Sequence, residues 1–272
     1  MTFWQNKVAL VTGGSSGLGR AIAEAFATAG CRVVVAARNE ESLNAAAAAM
    51  CCDGREVLGV PADITRPDDV DRLIARCLES YGRLDVLVNN AGRSMRRAVA
   101  ETSPNDFREL MELNFFALVG MTQAALPHLL ANHGHLVNIG SLAGKSAARY
   151  VGAYPATKFA VTAYSQQLRL ELGPSGLHVL LVCPGPIARD LPRGDAEREA
   201  RGDDLTGLPK TAHRPGAGVR VAALRPDWLA GQIVRACERR QGELVYPRSA
   251  RLIFALMQLS PGLADWLVRI ST

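Results

Sequence analysis

Short runs rich in valine, isoleucine and leucine alternate along this chain with longer stretches of helical apolar spacing. A strand that is apolar at nearly every position must be covered on both faces, and parallel sheets meet that demand with helices on their crossovers. Seven runs read as strands: Val8 to Thr12, Arg32 to Ala37, Glu56 to Val60, Val86 to Asn89, His135 to Ile139, His178 to Cys183 and Glu243 to Val245. Between them, segments such as Gly17 to Ala29, Asp68 to Tyr81, Pro104 to Leu130 and Ala153 to Leu172 have the length and spacing of helices. Pro226 opens a further helix that runs to Cys237. The expected architecture is α/β: βαβ units throughout, forming a doubly wound parallel sheet of about seven strands with helices on both faces.

No compositional break divides the 272 residues, so one domain over 1–272 is expected, with hydrophobic content of 48% ample for its core. A charged stretch with Gly and Pro, 189–225, reads as a loop over the substrate site, and 249–272 as an apolar helical extension. Only seven residues precede the apolar run at Val8, too few for a signal peptide, and the expected location is cytoplasmic. The six cysteines show no paired zinc-type spacing, so no metal is expected. The net charge of +5 comes from scattered arginines without interleaved aromatics, which argues against nucleic acid as a partner.

Directly after the first strand stands Thr12-Gly13-Gly14-Ser15-Ser16-Gly17-Leu18-Gly19, which leads into a helix. Glycines there allow a tight turn and let backbone amides and a helix N-terminus approach a pyrophosphate, although a glycine-rich turn alone also suits an ordinary strand-to-helix connection. Three further motifs follow in order. Asn89-Asn90-Ala91-Gly92 ends the fourth strand, Ser141 follows the fifth, and Tyr154-Pro155-Ala156-Thr157-Lys158 opens a helix. Together these motifs resemble the short-chain dehydrogenase/reductase family in its single-domain form, over about residues 7–245.

The resemblance implies a Rossmann-type fold and an oxidoreductase that moves a hydride between nicotinamide and a carbonyl or secondary alcohol. Tyr154 is the implied acid or base at the oxygen. Ser141 hydrogen-bonds the same oxygen, Lys158 holds the nicotinamide ribose, and Asn114 keeps a water in the proton relay. Tyr154 and Lys158, four apart on a helix, share one face, and an ammonium beside a phenol favours its ionisation. Cofactor contacts are implied at Gly13, Ser15, Ser16, Gly17, Leu18 and Gly19, at Asp63 and Ile64 beside the adenine, at Asn90, Ala91 and Gly92, at Tyr154 and Lys158, and at Pro184, Gly185 and Ile187. A helix N-cap role for a nearby Asp or Thr competes with the adenine contact of Asp63, and both can hold.

The second strand ends Ala36-Ala37-Arg38, where an acidic residue would accept from a ribose 2′-hydroxyl. With no carboxylate at Ala37 and a guanidinium at Arg38 able to pair a 2′-phosphate, NADP(H) is expected over NAD(H). One departure from the family pattern is the missing Thr after Ile187, where Ala188-Arg189-Asp190 stand instead.

The expected partner is a small, moderately apolar carbonyl or alcohol. A 3-oxoacyl-thioester reductase of fatty-acid type is the narrower rival, and a non-catalytic dinucleotide-sensing protein the rival from another class; such proteins usually lose a catalytic residue, and this chain has lost none. Family members pair through the helices at Pro104 to Leu130 and Ala153 to Leu172, so a homodimer or homotetramer is expected. For the apolar tail, packing within or between subunits is the leading reading, ahead of a wall of the substrate site and of membrane-surface contact by 249–270 with arginines at the headgroups.

Overall fold

The computed structural model describes residues 2–188, 203–209, 212 and 221–271. Seven parallel strands form one sheet: β1 (Val8–Thr12), β2 (Arg32–Ala37), β3 (Val57–Pro61), β4 (Val86–Asn89), β5 (His135–Ile139), β6 (His178–Pro184) and β7 (Glu243–Tyr246), in the order β3-β2-β1-β4-β5-β6-β7. The chain turns back across β1 to build the second half of the sheet from β4. That reversal opens a crevice beyond the carboxyl ends of β1 and β4, the usual ligand position in open α/β sheets.

Nine α-helices are described: α1 (Gly17–Ala29), α2 (Glu40–Met50), α3 (Pro67–Tyr81), α4 (Pro104–Met111), α5 (Ala117–Ala131), α6 (Tyr154–Leu172), α7 (Pro226–Glu238), α8 (Ala250–Met257) and α9 (Pro261–Ser271). Their ends follow local chemistry. Asn39 caps α2 by accepting from the Ser42 amide, and Ser103 and Asp106 form a reciprocal capping box at α4. Gly30 and Gly82 take the left-handed conformation that closes α1 and α3. Pro67, Pro104 and Pro226 each sit in a first turn, where the missing amide costs nothing.

Every residue of β1, β4, β5 and β6 is buried, and alternation along β1 divides its apolar residues between two cores. Ala9 and Val11 of β1 face a cluster with Phe26 of α1, Leu43 of α2 and Ile233 of α7. Val8 and Leu10 face the other side, against Leu73 of α3 and Met121 of α5. Each such large side chain withdrawn from water contributes about 1.5–3 kcal/mol, which makes these two cores the main source of cohesion.

The stretch expected as one helix from Pro104 to Leu130 is continuous but not uniform, because a π turn at Glu112–Phe116 joins α4 to α5. By length and apolarity, Pro104–Ala131 resembles a membrane-crossing helix. Its Met121, Ala125 and Leu129 instead pack into the core beside α3. Most of the 189–225 stretch expected to cover the site lies outside the described residues, as do Arg189 and Asp190. The expected C-terminal extension is helical, as two helices joined by a short turn.

Candidate active site

Two loops meet beyond the carboxyl ends of β1 and β4. The Thr12 hydroxyl accepts from the Asn90 and Ala91 amides at 3.0 and 3.1 Å and donates to the Val88 carbonyl at 3.3 Å. Asn90 returns its side-chain amide to the Thr12 carbonyl at 2.9 Å. A Cβ on Gly19 would collide with the Gly13 carbonyl and the Asn90 amide, so only glycine lets α1 start this close to β4. Gly13 and Gly17 both hold positive φ, at 66° and 52°, as such a tight turn requires.

The amides of Gly13 and Gly14 are committed, both donating to the Ala36 carbonyl. Those of Gly17, Leu18 and Gly19 open α1 and have no carbonyl a turn behind them. Ser16 occupies the N-cap without donating or accepting through its side chain at the helix end, and no acidic residue lies in the first turn. Unmet amides, the positive end of a helix dipole and a cradle that a Cβ would fill together suit a pyrophosphate.

At the end of β2, Arg38 is exposed and makes no ion pair among the described residues, while the adjacent Asn39 is spent on capping α2. Asp63 is not a helix cap. Its Oδ1 accepts from the amide and hydroxyl of Thr65, at 3.1 and 2.8 Å, while Asp69 inside α3 accepts from the Asp63 amide at 2.8 Å. That amide bond, followed by Arg72, holds the Asp69 carboxyl below the usual range. Ile64 is buried beside this turn.

The residues expected to be catalytic gather around the start of α6. Pro155 falls in its first turn, so Tyr154 opens the helix without breaking a hydrogen bond. Lys158 is only 6% exposed, and its ammonium donates to the Ile139 carbonyl at 2.8 Å. The same Nζ lies 5.8 Å from the centroid of the Tyr154 ring. Burial pulls the Lys158 pKa down to about 8, against a smaller upward influence from Cys183.

Asn114 sits in the π turn and is fully committed. Its Oδ1 accepts from the Arg93 amide at 2.9 Å, and its Nδ2 donates to the Arg93 carbonyl at 2.9 Å and the Thr157 hydroxyl at 3.0 Å. Thr157 in turn donates to the Tyr154 carbonyl at 2.8 Å, tying the π turn to the first turn of α6. Gly92 completes the junction, since a Cβ there would lie 2.8 Å from Asn114 Oδ1 and 3.9 Å from Lys158 Nζ.

Ser141 follows β5 two residues after the carbonyl that Lys158 binds. Its hydroxyl oxygen accepts from the Ala143 amide at 3.1 Å, which leaves its own O–H as a donor. Beyond β6, Pro184 ends the strand and the Gly185 amide donates to the Tyr246 carbonyl at 2.8 Å. Ile187 pairs with Leu224 in a short parallel bridge.

Sequence reasoning omitted Thr157 and the Ile139 carbonyl. Thr157 lies within the Tyr154 to Lys158 run and was visible there only as a spacer. A backbone carbonyl has no sequence signal at all.

Residues 7–200 match the family model described as short chain dehydrogenase. A Drosophila melanogaster protein named dehydrogenase/reductase SDR family protein 7-like is 30% identical, over 96% of this chain and 79% of its own length. An uncharacterized oxidoreductase of Staphylococcus aureus is 36% identical over 69% of this chain and 80% of its own. Among solved structures, a short-chain dehydrogenase from Streptomyces avermitilis superposes with a TM-score of 0.80 at 33% identity, covering 98% of this chain and 97% of that one. A short-chain dehydrogenase/reductase from Burkholderia phymatum, solved in complex with NAD, superposes at 0.81 over 97% of this chain and 96% of that one; its 24% identity speaks to the fold alone. With the sheet order, the glycine cradle and the Tyr154–Lys158 helix in place, the chain belongs to the short-chain dehydrogenase family of oxidoreductases, whose cofactor is a nicotinamide dinucleotide.

Proposed function

We propose that this protein is an NADP(H)-dependent carbonyl reductase or alcohol dehydrogenase for a moderately apolar small molecule, with Tyr154 as the proton-transfer group. The carrying observation is the convergence of Asn114, Gly92 and Lys158 on the first turn of α6, directly beneath Tyr154. Among the described residues Lys158 has no counter-carboxylate; its charge meets a carbonyl and lies over the phenol ring. A cation in that place stabilises the phenolate that forms when Tyr154 gives up its proton. With a pKa of about 8, Lys158 still carries that charge at neutral pH.

In reduction, Tyr154 donates its proton to the carbonyl oxygen while the Ser141 O–H stabilises the charge developing there; oxidation reverses both roles. A bound nicotinamide supplies the hydride donor or acceptor at carbon. The Gly17, Leu18 and Gly19 amides would hold its pyrophosphate, with Ser15 and Ser16 in the same turn. Asp63, Ile64, Asn90, Ala91 and Gly92 would flank the adenosine and its ribose, and Pro184, Gly185 and Ile187 the carboxamide end. Arg38, exposed and unpaired with any described carboxylate, supports a 2′-phosphate there. Exposed Phe116, Phe159 and Leu170 on the π turn and α6 support a homodimer or homotetramer through those helices.

The test is turnover of purified full chain with NADPH and with NADH against a panel of ketones and aldehydes. NADPH turnover is expected, with kcat/KM above that for NADH by about tenfold or more. No turnover with either cofactor, or equal use of both, would contradict the reading.

A further inference from the structure

Among the described residues, the α8–α9 pair packs on the body of the molecule through the inner side of α8. Ala250 is buried and Phe254 packs on the cluster that includes Leu118, Val161 and Val245, on which Leu142 also packs. The opposite side of α8 is equally apolar and faces outward: Leu252 is 69% exposed and Leu259, in the turn that follows, is 76% exposed, with Ile253 and Leu256 between them. On α9 the outward face carries Trp266, 57% exposed. An uncovered aliphatic face of this kind marks an interaction surface.

The charges beside it select the occupant. Arg248, Arg251 and Arg269 are all exposed, and Asp265 is the one carboxylate between residues 247 and 271. Arg251 donates to the Glu243 carbonyl at 2.9 Å, an interaction that leaves its charge intact. A second copy placed on this face would set arginines against arginines, which opposes association. An anionic lipid surface complements them, and a convex aliphatic face bordered by arginines and an indole suits the boundary between headgroups and acyl chains.

We propose that the α8–α9 pair docks the protein on an anionic membrane surface, with Leu252, Ile253, Leu256 and Leu259 entering the acyl boundary and the arginines meeting headgroup phosphates. Phe254, on the inner side of α8, and Leu142, which follows Ser141 in the chain, pack on one apolar cluster.

Co-sedimentation of the full chain with vesicles of phosphatidylcholine plus phosphatidylglycerol, or of phosphatidylcholine alone, tests this. Binding to the anionic vesicles is expected, weakened by salt and by omission of phosphatidylglycerol. The exposed substitutions Leu252→Ser with Leu259→Ser, and separately Arg269→Glu, should each lower the partition coefficient by about tenfold or more without changing the melting temperature. Trp266 emission should shift to the blue on binding, a change absent from Trp266→Phe. Failure of the wild type to bind anionic vesicles overturns the proposal. So does a Leu252→Ser with Leu259→Ser variant that binds as the wild type does but loses oligomer mass in light scattering, which would assign the face to a second copy.

Discussion

Lys158 occupies an unusual position for an ammonium: buried, bound to a backbone carbonyl and set against a phenol ring. That arrangement costs solvation, which the lowered pKa records, and it is useful only if the charge acts on something nearby. Lys158→Met should therefore lower kcat/KM by roughly 10²–10⁴ while the fold survives, because the substitution removes a buried charge and keeps the stem's bulk. Activity within about threefold of wild type would show that the ammonium acts on nothing in the reaction. The four-residue spacing of Tyr154 and Lys158 was legible in the sequence because helix geometry fixes it. The anchoring of Asn114 by Thr157 was not, since it joins residues 43 positions apart through a side-chain hydrogen bond. Arg38 belongs to the same scale: Arg38→Ala should weaken NADPH binding by about tenfold and leave NADH binding unchanged, read as KM or by fluorescence titration. Equal loss for both cofactors would place Arg38 away from a 2′-phosphate.

Among the elements, strand and helix positions were readable because parallel strands buried on both faces must be apolar throughout, and Val8 to Thr12 is the plain example. The π turn was hidden, since Glu112–Phe116 keeps helical apolar spacing while its hydrogen bonds shift by one residue, as in the Ala117 amide donating to the Glu112 carbonyl. Asp85 shows what joins elements at the amino ends of the strands. It is buried just before β4, accepts from the Val8 amide of β1 at 2.9 Å and from Arg83 at 2.8 and 2.6 Å. Asp85→Ala strands the Val8 amide, while half-exposed Arg83 turns to water, so a loss of about 1–3 kcal/mol in denaturant unfolding is expected. An unchanged midpoint would mean that the amide finds another partner. In the first turn of α1, Gly19→Ala should raise the KM for either dinucleotide strongly, because its Cβ drives into the Gly13 carbonyl.

At the scale of the whole molecule, the candidate site lies beyond the carboxyl ends of the strands, and buried polar groups join the amino ends. There His135 and His178 share a hydrogen bond of 2.9 Å between their Nδ1 atoms, and His178 reaches the Gln241 carbonyl at 2.8 Å. Burial, then the neighbouring His178, lowers His135 from 6.5 to about 3; burial, opposed by the Gln241 bond, lowers His178 to about 4. The unfolded chain protonates these rings near 6.5 and the folded chain only near 4 and below, so between those values the unfolded state binds more protons. Stability is then complete above about pH 6.5 and falls on acidification, by ~1.4 kcal/mol per pH unit for each proton taken up. His178→Gln should flatten that slope in chemical denaturation, and an identical slope in the variant would assign it to other groups. None of this was legible beforehand, because the two histidines open strands that are 43 residues apart in sequence and neighbours in the sheet.

The most direct test of proton transfer by Tyr154 is NADPH-dependent carbonyl turnover by wild type and Tyr154→Phe, measured with the melting temperature of each. The predicted result is a kcat lower by roughly 10²–10⁴ in the variant, with NADPH affinity and melting temperature unchanged. Turnover by Tyr154→Phe within about twofold of wild type would contradict the assignment of proton transfer to this residue.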